Sequence, residues 1–327
     1  MKLFVNILTF LLLSTNSFGQ QIKMLAQGID SDSSFYHLEK INTNEFWAGG
    51  EYGILKKIDS LGNMSSLDFP NEGLDILKIK KIQNNIFILT SNAVIYKYNI
   101  ENNTFYKKEF QTFKNKCFYD LLVLNNGKLL VCGGTTGIAK AEKKIPNGFI
   151  ATVDEDLNEI NVVWKSKRKF VWSLVALENQ NILASTFNGL NTQIIKSENL
   201  KSWKKEINIK GLVHEIALFN NQIWYCGAKN IHFTGDGIIG QASKGQKQKL
   251  LLKTGCLWSL DTLDGKIIAV TQSGELLKID KTNNESETIK IPKTFAVYDI
   301  EKISESKLLV IGHGKTAYIV DFKSLNN

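Results

Sequence analysis

Four histidines are the residues best suited by type to acid–base or metal chemistry: His37, His214, His232 and His313. They are far apart in the sequence, and no His-x-His or Cys-x-x-Cys spacing favours a zinc site. His214 stands where other copies of a repeat carry Tyr, Trp or Leu, so we predict that it packs in the core. The sequence therefore predicts no catalytic residue, no metal site and no cofactor. It leaves open a site assembled around His37 and His313 from distant segments.

Three acidic residues, Asp120, Glu215 and Asp299, share one position of the same repeat, where two other copies carry His37 and Lys78. Two carboxyl groups about 5–10 Å apart could act as acid and base in a glycosidase. The alternative is a solvated central channel whose innermost strands tolerate charge. Because the three acidic residues fall in repeats that are not neighbours, we favour the channel over a catalytic pair.

All of these residues belong to a pattern that returns seven times: a bulky residue, any residue, Leu or Ile, any two residues, then Ile, Leu or Phe. The copies begin at Tyr36, Leu77, Tyr119, Trp172, His214, Trp258 and Tyr298. Successive starts are 40 to 53 residues apart, and a period of about 40–45 residues made of strand-like runs is typical of propeller blades. Polar turns rich in Asn and Gly, then a second apolar run, follow each copy. The sequence therefore predicts an all-β, seven-bladed β-propeller.

The last repeat is one strand short. Its third strand is predicted at Tyr318 to Phe322, and too few residues follow to form a fourth. The segment Ile22 to Ala26 precedes the first blade and has no other partner. We predict that it pairs with the last blade and closes the ring, which also removes the exposed sheet edges of an open array.

The first 19 residues have the order typical of a secretory signal peptide: Lys2, an apolar run from Leu3 to Leu13, then small and polar residues from Ser14 to Gly19. This apolar run is shorter than the ~20 residues that a membrane-spanning helix needs. We therefore predict a signal peptide over residues 1–19 and a mature β-propeller domain over 20–327. The mature chain is expected to be secreted or periplasmic and to have no membrane span.

Positive charge is concentrated in the middle of the chain. Residues 140–253 contain 17 Lys and Arg but 10 Asp and Glu, an excess of seven out of the net +8 of the whole chain. In a propeller, the loops that enter each first strand and those that join second to third strands meet at one end, so these charges should border one mouth of the channel. A basic rim attracts acidic ligands. The predicted ligand-binding residues are Lys143, Lys144, Arg168, Lys169, Trp172, Phe187 and His313.

Four cysteines are predicted to be buried and unpaired. Cys117 and Cys256 fall in the third and sixth repeats, and Cys132 and Cys226 in the third and fifth. Neither pair lies in neighbouring blades, so their Cα atoms should be farther apart than the ~7 Å that a disulfide allows.

Two segments resemble known propeller families. The stretch from Trp47 to Leu55 (Trp-Ala-Gly-Gly-Glu-Tyr-Gly-Ile-Leu) resembles the repeat core of propellers related to the photosystem II assembly factor family. Ser197 to Trp203 resembles the Asp-box of sialidase-type propellers (Ser-x-Asp-x-Gly-x-Thr-Trp), shortened by one residue. Both resemblances imply architecture and no particular activity. The chain has a single arginine, Arg168, which excludes the arginine cluster of sialidases and the arginine patch of the assembly factors.

The sequence favours a secreted, non-catalytic binding or assembly module for an acidic glycan, peptide, protein or envelope component. It is expected to act as a monomer, and export argues against a nucleic-acid partner. The alternative is an extracellular carbohydrate-active lyase or hydrolase with a site built from several blades near His37 and His313.

Overall fold

The computed structural model describes residues 21–26, 33–70, 72–135, 147–230, 236–243, 246–252, 254–280, 286–292 and 296–322. In these ranges the chain forms seven antiparallel sheets of four strands each. The first strand of each sheet lines a central channel, and the following strands lie progressively farther from it. The predicted seven-bladed β-propeller is therefore confirmed.

The strands are numbered in chain order, beginning with β1 (Gln21–Ala26). Blades 1 to 3 consist of β2 (Phe35–Lys40), β3 (Glu45–Gly50), β4 (Leu55–Asp59), β5 (Met64–Ser66); β6 (Ile76–Ile82), β7 (Asn85–Thr90), β8 (Val94–Asn99), β9 (Thr104–Glu109); and β10 (Lys116–Val123), β11 (Leu129–Thr135), β12 (Gly148–Val153), β13 (Ile160–Ser166). Blades 4 to 6 consist of β14 (Phe170–Ala176), β15 (Ile182–Phe187), β16 (Asn191–Ser197), β17 (Lys204–Lys210); β18 (Leu212–Phe219), β19 (Gln222–Ala228), β20 (Gly237–Ser243), β21 (Gln246–Leu252); and β22 (Leu257–Leu263), β23 (Lys266–Thr271), β24 (Glu275–Ile279), β25 (Ser286–Lys290). Blade 7 consists of β26 (Val297–Ser304), β27 (Lys307–Gly312), β28 (Thr316–Asp321) and β1. Three short 3-10 helices lie in loops, at Glu51–Gly53, Ser91–Ala93 and Gln111–Phe113.

The hydrophobic core lies between neighbouring blades. One cluster joins Phe87 and Leu89 of blade 2 to Phe118 and Phe149 of blade 3, and all four side chains are buried. Such contacts explain why the second strands are apolar on both faces, since each is enclosed by a blade on either side. Burying a side chain of this size contributes about 1.5–3 kcal/mol, so the blade-to-blade contacts hold the ring together.

The two ends of the described chain meet in blade 7. Strand β1 pairs antiparallel with β28, with Ile22 opposite Val320 and Met24 opposite Tyr318. Ile22 also packs against the cluster between blades 6 and 7. This pairing confirms the predicted closure and gives blade 7 its fourth strand.

A β-bulge interrupts the first strand of every blade near its beginning. In blade 1 the pairing skips Tyr36: Phe35 lies opposite Gly50, and His37 lies opposite Gly49. The carbonyl oxygen of Ser34 approaches so closely that a Cβ on Gly50 would be 1.9 Å from it. A glycine or a threonine stands at the equivalent place in the second strand of each blade: Gly50, Thr90, Gly133, Thr186, Gly227, Thr271 and Gly312. A bulge re-aims the side chains around it, and that change in direction creates the site described below.

The four cysteines are buried and form no disulfide. Cys226 and Cys256 do lie in adjacent blades, 5 and 6, and both are unpaired thiols. In the part of the chain that the structure describes, no helix is long and apolar enough to cross a membrane.

Candidate functional site

The bulky residue that opens each repeat lines a cavity at one mouth of the central channel. The cavity has a volume of about 510 Å³. Its wall is a ring of seven half-buried side chains, one from each blade: Tyr36, Leu77, Tyr119, Trp172, His214, Trp258 and Tyr298. We call this ring the aromatic collar, because six of its seven members are aromatic.

The rings of the aromatic collar contact one another from blade 3 around to blade 1. Neighbouring ring centroids are 4.3 to 5.7 Å apart, and all of the pairs are tilted or edge-on. Aromatic pairs favour these geometries over face-to-face stacking. Leu77 of blade 2 completes the circle. The collar is therefore a nearly continuous apolar wall around the channel.

Beneath the aromatic collar lies a ring of polar side chains, which we call the polar floor. Its members follow the collar residues directly in the sequence: His37, Lys78, Asp120, Ser173, Glu215, Ser259 and Asp299. In a regular strand, consecutive side chains point to opposite faces. The bulge removes that alternation, so each blade directs two successive side chains into one cavity.

The polar floor also links the blades, because five of its seven members accept a hydrogen bond from the next blade's backbone. The Leu38 N–H donates to Asp299 Oδ2 at 2.8 Å, and the Leu174 N–H donates to Asp120 Oδ2 at 2.7 Å. The same bond joins blades 1 and 2, 4 and 5, and 5 and 6, through His37, Ser173 and Glu215. Bulges disrupt strand pairing locally, and the polar floor supplies acceptors at these places.

Lys78 changes the pattern because an ammonium group has no acceptor. Its Nζ lies 3.5 Å from Asp120 Oδ1. By the pattern of the other blades, the Leu121 N–H would donate to residue 78 of blade 2. Because Lys78 cannot accept, this N–H donates instead to Asp120 Oδ1 of its own blade at 2.8 Å. Asp120 therefore holds the backbone of two blades and also neutralises Lys78.

Burial shifts the protonation of the polar floor. It raises the pKa of Glu215 to about 8 and that of Asp299 to about 6, against the opposing attraction of Lys78. Burial alone would lower the pKa of Lys78, but the surrounding carboxylates outweigh it and raise that pKa. Burial lowers the pKa of His214 to about 3, and it also lowers the pKa of His37. Both histidines are therefore neutral at pH 7, while Lys78 is charged.

Three of the residues predicted to bind a ligand lie around blade 4. Trp172 belongs to the aromatic collar, and Arg168 is exposed in the loop that enters β14. Lys169, in the same loop, is half-buried and its Nζ donates to Gln193 Oε1 at 2.6 Å. This basic loop leads into the strand that carries Trp172, and Arg168 is exposed in it, as is Lys167.

The other predicted ligand-binding residues are placed differently. Phe187 is buried against Phe170 beside the collar, so it supports the wall and presents no surface to a ligand. His313 lies in the loop between β27 and β28, with its Nδ1 3.2 Å from Ser34 Oγ. Lys143 and Lys144 lie outside the described residues.

Of the aromatic collar, sequence reasoning identified only Trp172 as a ligand-binding residue. It predicts His214 to be a core residue. The structure shows His214 between Trp172 and Trp258 in the channel wall, with ring centroids 4.7 and 4.3 Å away. The available signal was the polar residue that follows each bulky one, because an alternating strand would have placed one of the two in an apolar interface.

Within the described ranges, no group of three or more His, Cys, Asp or Glu side chains is arranged to hold a metal ion. His37 lies in the polar floor, where its Nδ1 accepts the Ile79 N–H at 3.2 Å and its Nε2 is 3.6 Å from Asp299 Oδ2. The ring is therefore held on both sides by the fold.

Tyr52 is an exposed aromatic residue beside the cavity, in an unfavourable backbone conformation. Its φ is 55° and its side chain is 63% exposed. Its N–H donates to Oδ1 of Asp75, a residue that lines the cavity. The matching loop of blade 2 carries Asn92 at φ 62°, and Asn tolerates the left-handed region far better than a bulky residue does.

We expect the replacement Tyr52→Asn to raise the free energy of unfolding by about 0.5–1 kcal/mol, because it relieves left-handed strain without removing a buried side chain. Urea unfolding measures the change. The matched control is Tyr106→Asn on strand β9, where the exposed tyrosine favours the strand and its loss should be destabilising. Equal destabilisation by the two changes would contradict the strain assigned to Tyr52.

Comparison with solved structures places this chain among seven-bladed propellers of diverse function. A streptogramin B lyase superposes with a TM-score of 0.71 at 10% identity, covering 92% of this chain and 97% of that one. A catalytically inactive virginiamycin B lyase from Staphylococcus aureus with quinupristin gives 0.71 at 10% identity, with coverages of 93% and 99%. The photosystem II assembly factor YCF48 bound to D1 peptide gives 0.68 at 11% identity, with coverages of 93% and 97%.

No protein-family model matches the chain, and no curated protein matches it. The solved structures above are identical to this chain at about one residue in ten, so their similarity shows the fold alone. The resemblance to assembly-factor propellers noted from Trp47 to Leu55 is confirmed at that level: this chain is a seven-bladed β-propeller similar in fold to both lyases and an assembly factor.

Proposed function

We propose that this chain is a binding or assembly module whose ligand enters the mouth of the channel and contacts the aromatic collar. The observation that carries this proposal is the ring of aromatic side chains around an open cavity of about 510 Å³. Ligand pockets are typically about 300–1,000 Å³, largely apolar, with a few polar groups that fix orientation. The aromatic collar and the polar floor match this description.

The bonding of the polar floor favours binding over catalysis. Asp120, Glu215 and Asp299 each accept a backbone N–H of the next blade. A carboxylate held in this way fixes the backbone at the bulge, and moving it to reach a substrate would break that bond. These groups are best explained as structural acceptors that also give the cavity its charge.

The sequence predicts an acidic ligand: a glycan, a peptide or an envelope component. We propose that such a ligand contacts the rim of the channel mouth. Support comes from Arg168, which is exposed in the loop that enters β14, the strand that carries Trp172, and from the basic residues Lys143 and Lys144 in the sequence of the blade 3 insertion. We also propose that the module acts after export, in the periplasm or outside the cell. That proposal rests on the order of charged, apolar and small residues over 1–19.

The second candidate is a carbohydrate-active lyase or hydrolase. It is favoured by the contact between His37 and Asp299 in the polar floor and by the lyases among the similar folds. The discriminating experiment is to incubate the protein with polysaccharides and follow new reducing ends or unsaturated products. Turnover that is lost in His313→Ala, with unchanged thermal stability, would favour the enzyme.

The binding proposal predicts the effect of Trp258→Leu. Blade 2 already carries Leu77 at this position, so leucine is compatible with the fold, but the ring surface offered to a ligand is lost. A ligand found by screening acidic glycans and peptide arrays should bind Trp258→Leu at least about tenfold more weakly. Isothermal titration calorimetry measures the affinity.

The matched control is Trp164→Leu, on strand β13 away from the channel, which should leave affinity unchanged. A variant with serine in place of Lys143, Lys144, Arg168 and Lys169 tests the contribution of the rim independently of the collar. If acidic groups bind at the rim, this variant should have a lower affinity, and its affinity should depend less on salt concentration. Full affinity in Trp258→Leu would contradict the role of the aromatic collar.

A further inference from the structure

We infer that the group received by the channel is the cationic side chain of a peptide, the ammonium of lysine or the guanidinium of arginine, which passes the aromatic collar and meets the polar floor. This inference rests on the proposed function, because it names the chemistry of the ligand at the same site. It differs from the acidic ligand expected at the rim, and it concerns the inside of the channel.

The charge of the cavity is opposite to that of the chain. The whole chain has a formal net charge of +8. Among the described residues, four carboxyl side chains and one ammonium line the cavity, a balance of −3 when every carboxyl is ionised and −2 while Glu215, with its pKa of about 8, keeps its proton: Asp75, Asp120, Glu215, Asp299 and Lys78. The two histidines in the lining add no charge at neutral pH because burial lowers their pKa values. A cation therefore gains attraction on entering, and an anion is repelled.

The aromatic collar suits a cation that arrives on an apolar stem. The faces of Trp and Tyr rings carry negative potential and attract a nearby ammonium or guanidinium, more strongly as water is excluded. The collar supplies two tryptophans, Trp172 and Trp258, and three tyrosines. The methylene groups of a lysine or arginine side chain can pack on the same rings while the charge passes beyond them.

The polar floor keeps acceptor capacity for such a group. A carboxylate offers about four acceptor positions, and Glu215 uses Oε2 for the Leu260 N–H at 2.7 Å. Burial without full compensation raises the pKa of Glu215 to about 8. A cation beside it would favour the ionised form, so ligand binding and loss of this proton would reinforce each other.

The test compares blocked tripeptides that differ in one side chain: acetyl-Gly-Lys-Gly-amide, the same peptide with norleucine, and the same peptide with glutamate. Norleucine keeps the apolar stem and lacks the ammonium. Methyl glucoside is the sugar probe. Binding to the full chain is followed by NMR through the indole N–H signals of Trp172 and Trp258, assigned with Trp172→Leu and Trp258→Leu.

The lysine peptide should bind at least about tenfold more tightly than the norleucine peptide at pH 8. Glu215→Gln keeps an acceptor for the Leu260 N–H and removes the charge, so it should reduce lysine affinity several-fold and leave norleucine affinity unchanged. Asp261→Asn is the matched control, because Asp261 is a carboxyl group with a raised pKa that does not line the cavity. It should not alter either affinity.

Equal affinity for lysine and norleucine would overturn the inference, and so would no effect of Glu215→Gln on lysine binding. If the glutamate peptide or the glucoside binds best and moves the collar signals, the inference fails while the proposed function stands. If none of the probes moves the indole signals, both the inference and the role of the aromatic collar are contradicted.

Discussion

Removal of strand β1, residues Gln21–Ala26, should lower the free energy of unfolding by several kcal/mol, on the order of 5 kcal/mol. The deletion leaves the β28 edge without its antiparallel partner. It also removes Ile22 from the cluster between blades 6 and 7, and Leu25 from the cluster between blades 7 and 1. Both losses fall at the point where the ring closes.

Thermal and urea unfolding of a protein comprising residues 20–327, with and without β1, measure this effect. The control is Met24→Ala in the same strand, whose side chain is 40% exposed, so its loss should cost less than about 1 kcal/mol. If the deletion variant unfolds at the same temperature as the parent chain, the ring does not depend on this closure.

Replacement of Lys78 by Met should be the most destabilising single change in the polar floor. It removes the ammonium that faces Asp120 at 3.5 Å and offsets the charge of Glu215 and Asp299. Removing one member of a buried charged group typically costs about 3–5 kcal/mol, because the remaining charge is left uncompensated. Lys57→Met is the control. Lys57 pairs with Glu45, and about a third of each side chain is exposed to solvent. An ion pair in such a place contributes at most about 1 kcal/mol.

The loss in Lys78→Met should grow with pH. The folded-state pKa values of Asp299 and Glu215 are raised to about 6 and about 8. A raised carboxyl pKa contributes stability that is present below the unfolded pKa and is lost as pH rises through the folded one. Without Lys78 both pKa values rise further. The gap between variant and parent should therefore be small near pH 4 and largest near pH 8, and a constant gap in urea unfolding would contradict this account.

The architecture could be predicted from the sequence because it depends on local, repeated signals. Turn residues such as Asn221 and Gly265 adopt the left-handed conformation that hairpins need. The spacing of the bulky residues gave the blade count. The closing strand followed from counting, because the last repeat lacked one strand and Ile22 to Ala26 had no partner.

The candidate site could not be predicted in the same way, because it depends on a bulge. Period-two alternation predicts that Tyr119 and Asp120 face opposite sides, and the bulge directs both into the channel. The bulge leaves only indirect traces in the sequence, such as Gly133 opposite the bulged strand. The acidic balance of the cavity was hidden for a further reason, since it is assembled from four blades and the net charge of the chain has the opposite sign.

The hydrogen bonds of the polar floor make the blades non-interchangeable. Five blades donate a backbone N–H to a side chain of the blade before them, whereas blades 3 and 7 donate it to an aspartate of their own, Asp120 and Asp299. Blade 3 follows Lys78, which accepts nothing, and so it brings a second role for Asp120. Copying blade 2 into the place of blade 1, 3, 4, 5 or 7 would leave the next blade without its acceptor, because only blades 3 and 7 carry an acceptor of their own. At those places a change of acceptor in one blade has to be matched in the next blade, and recombination between blades has to respect the direction of these bonds.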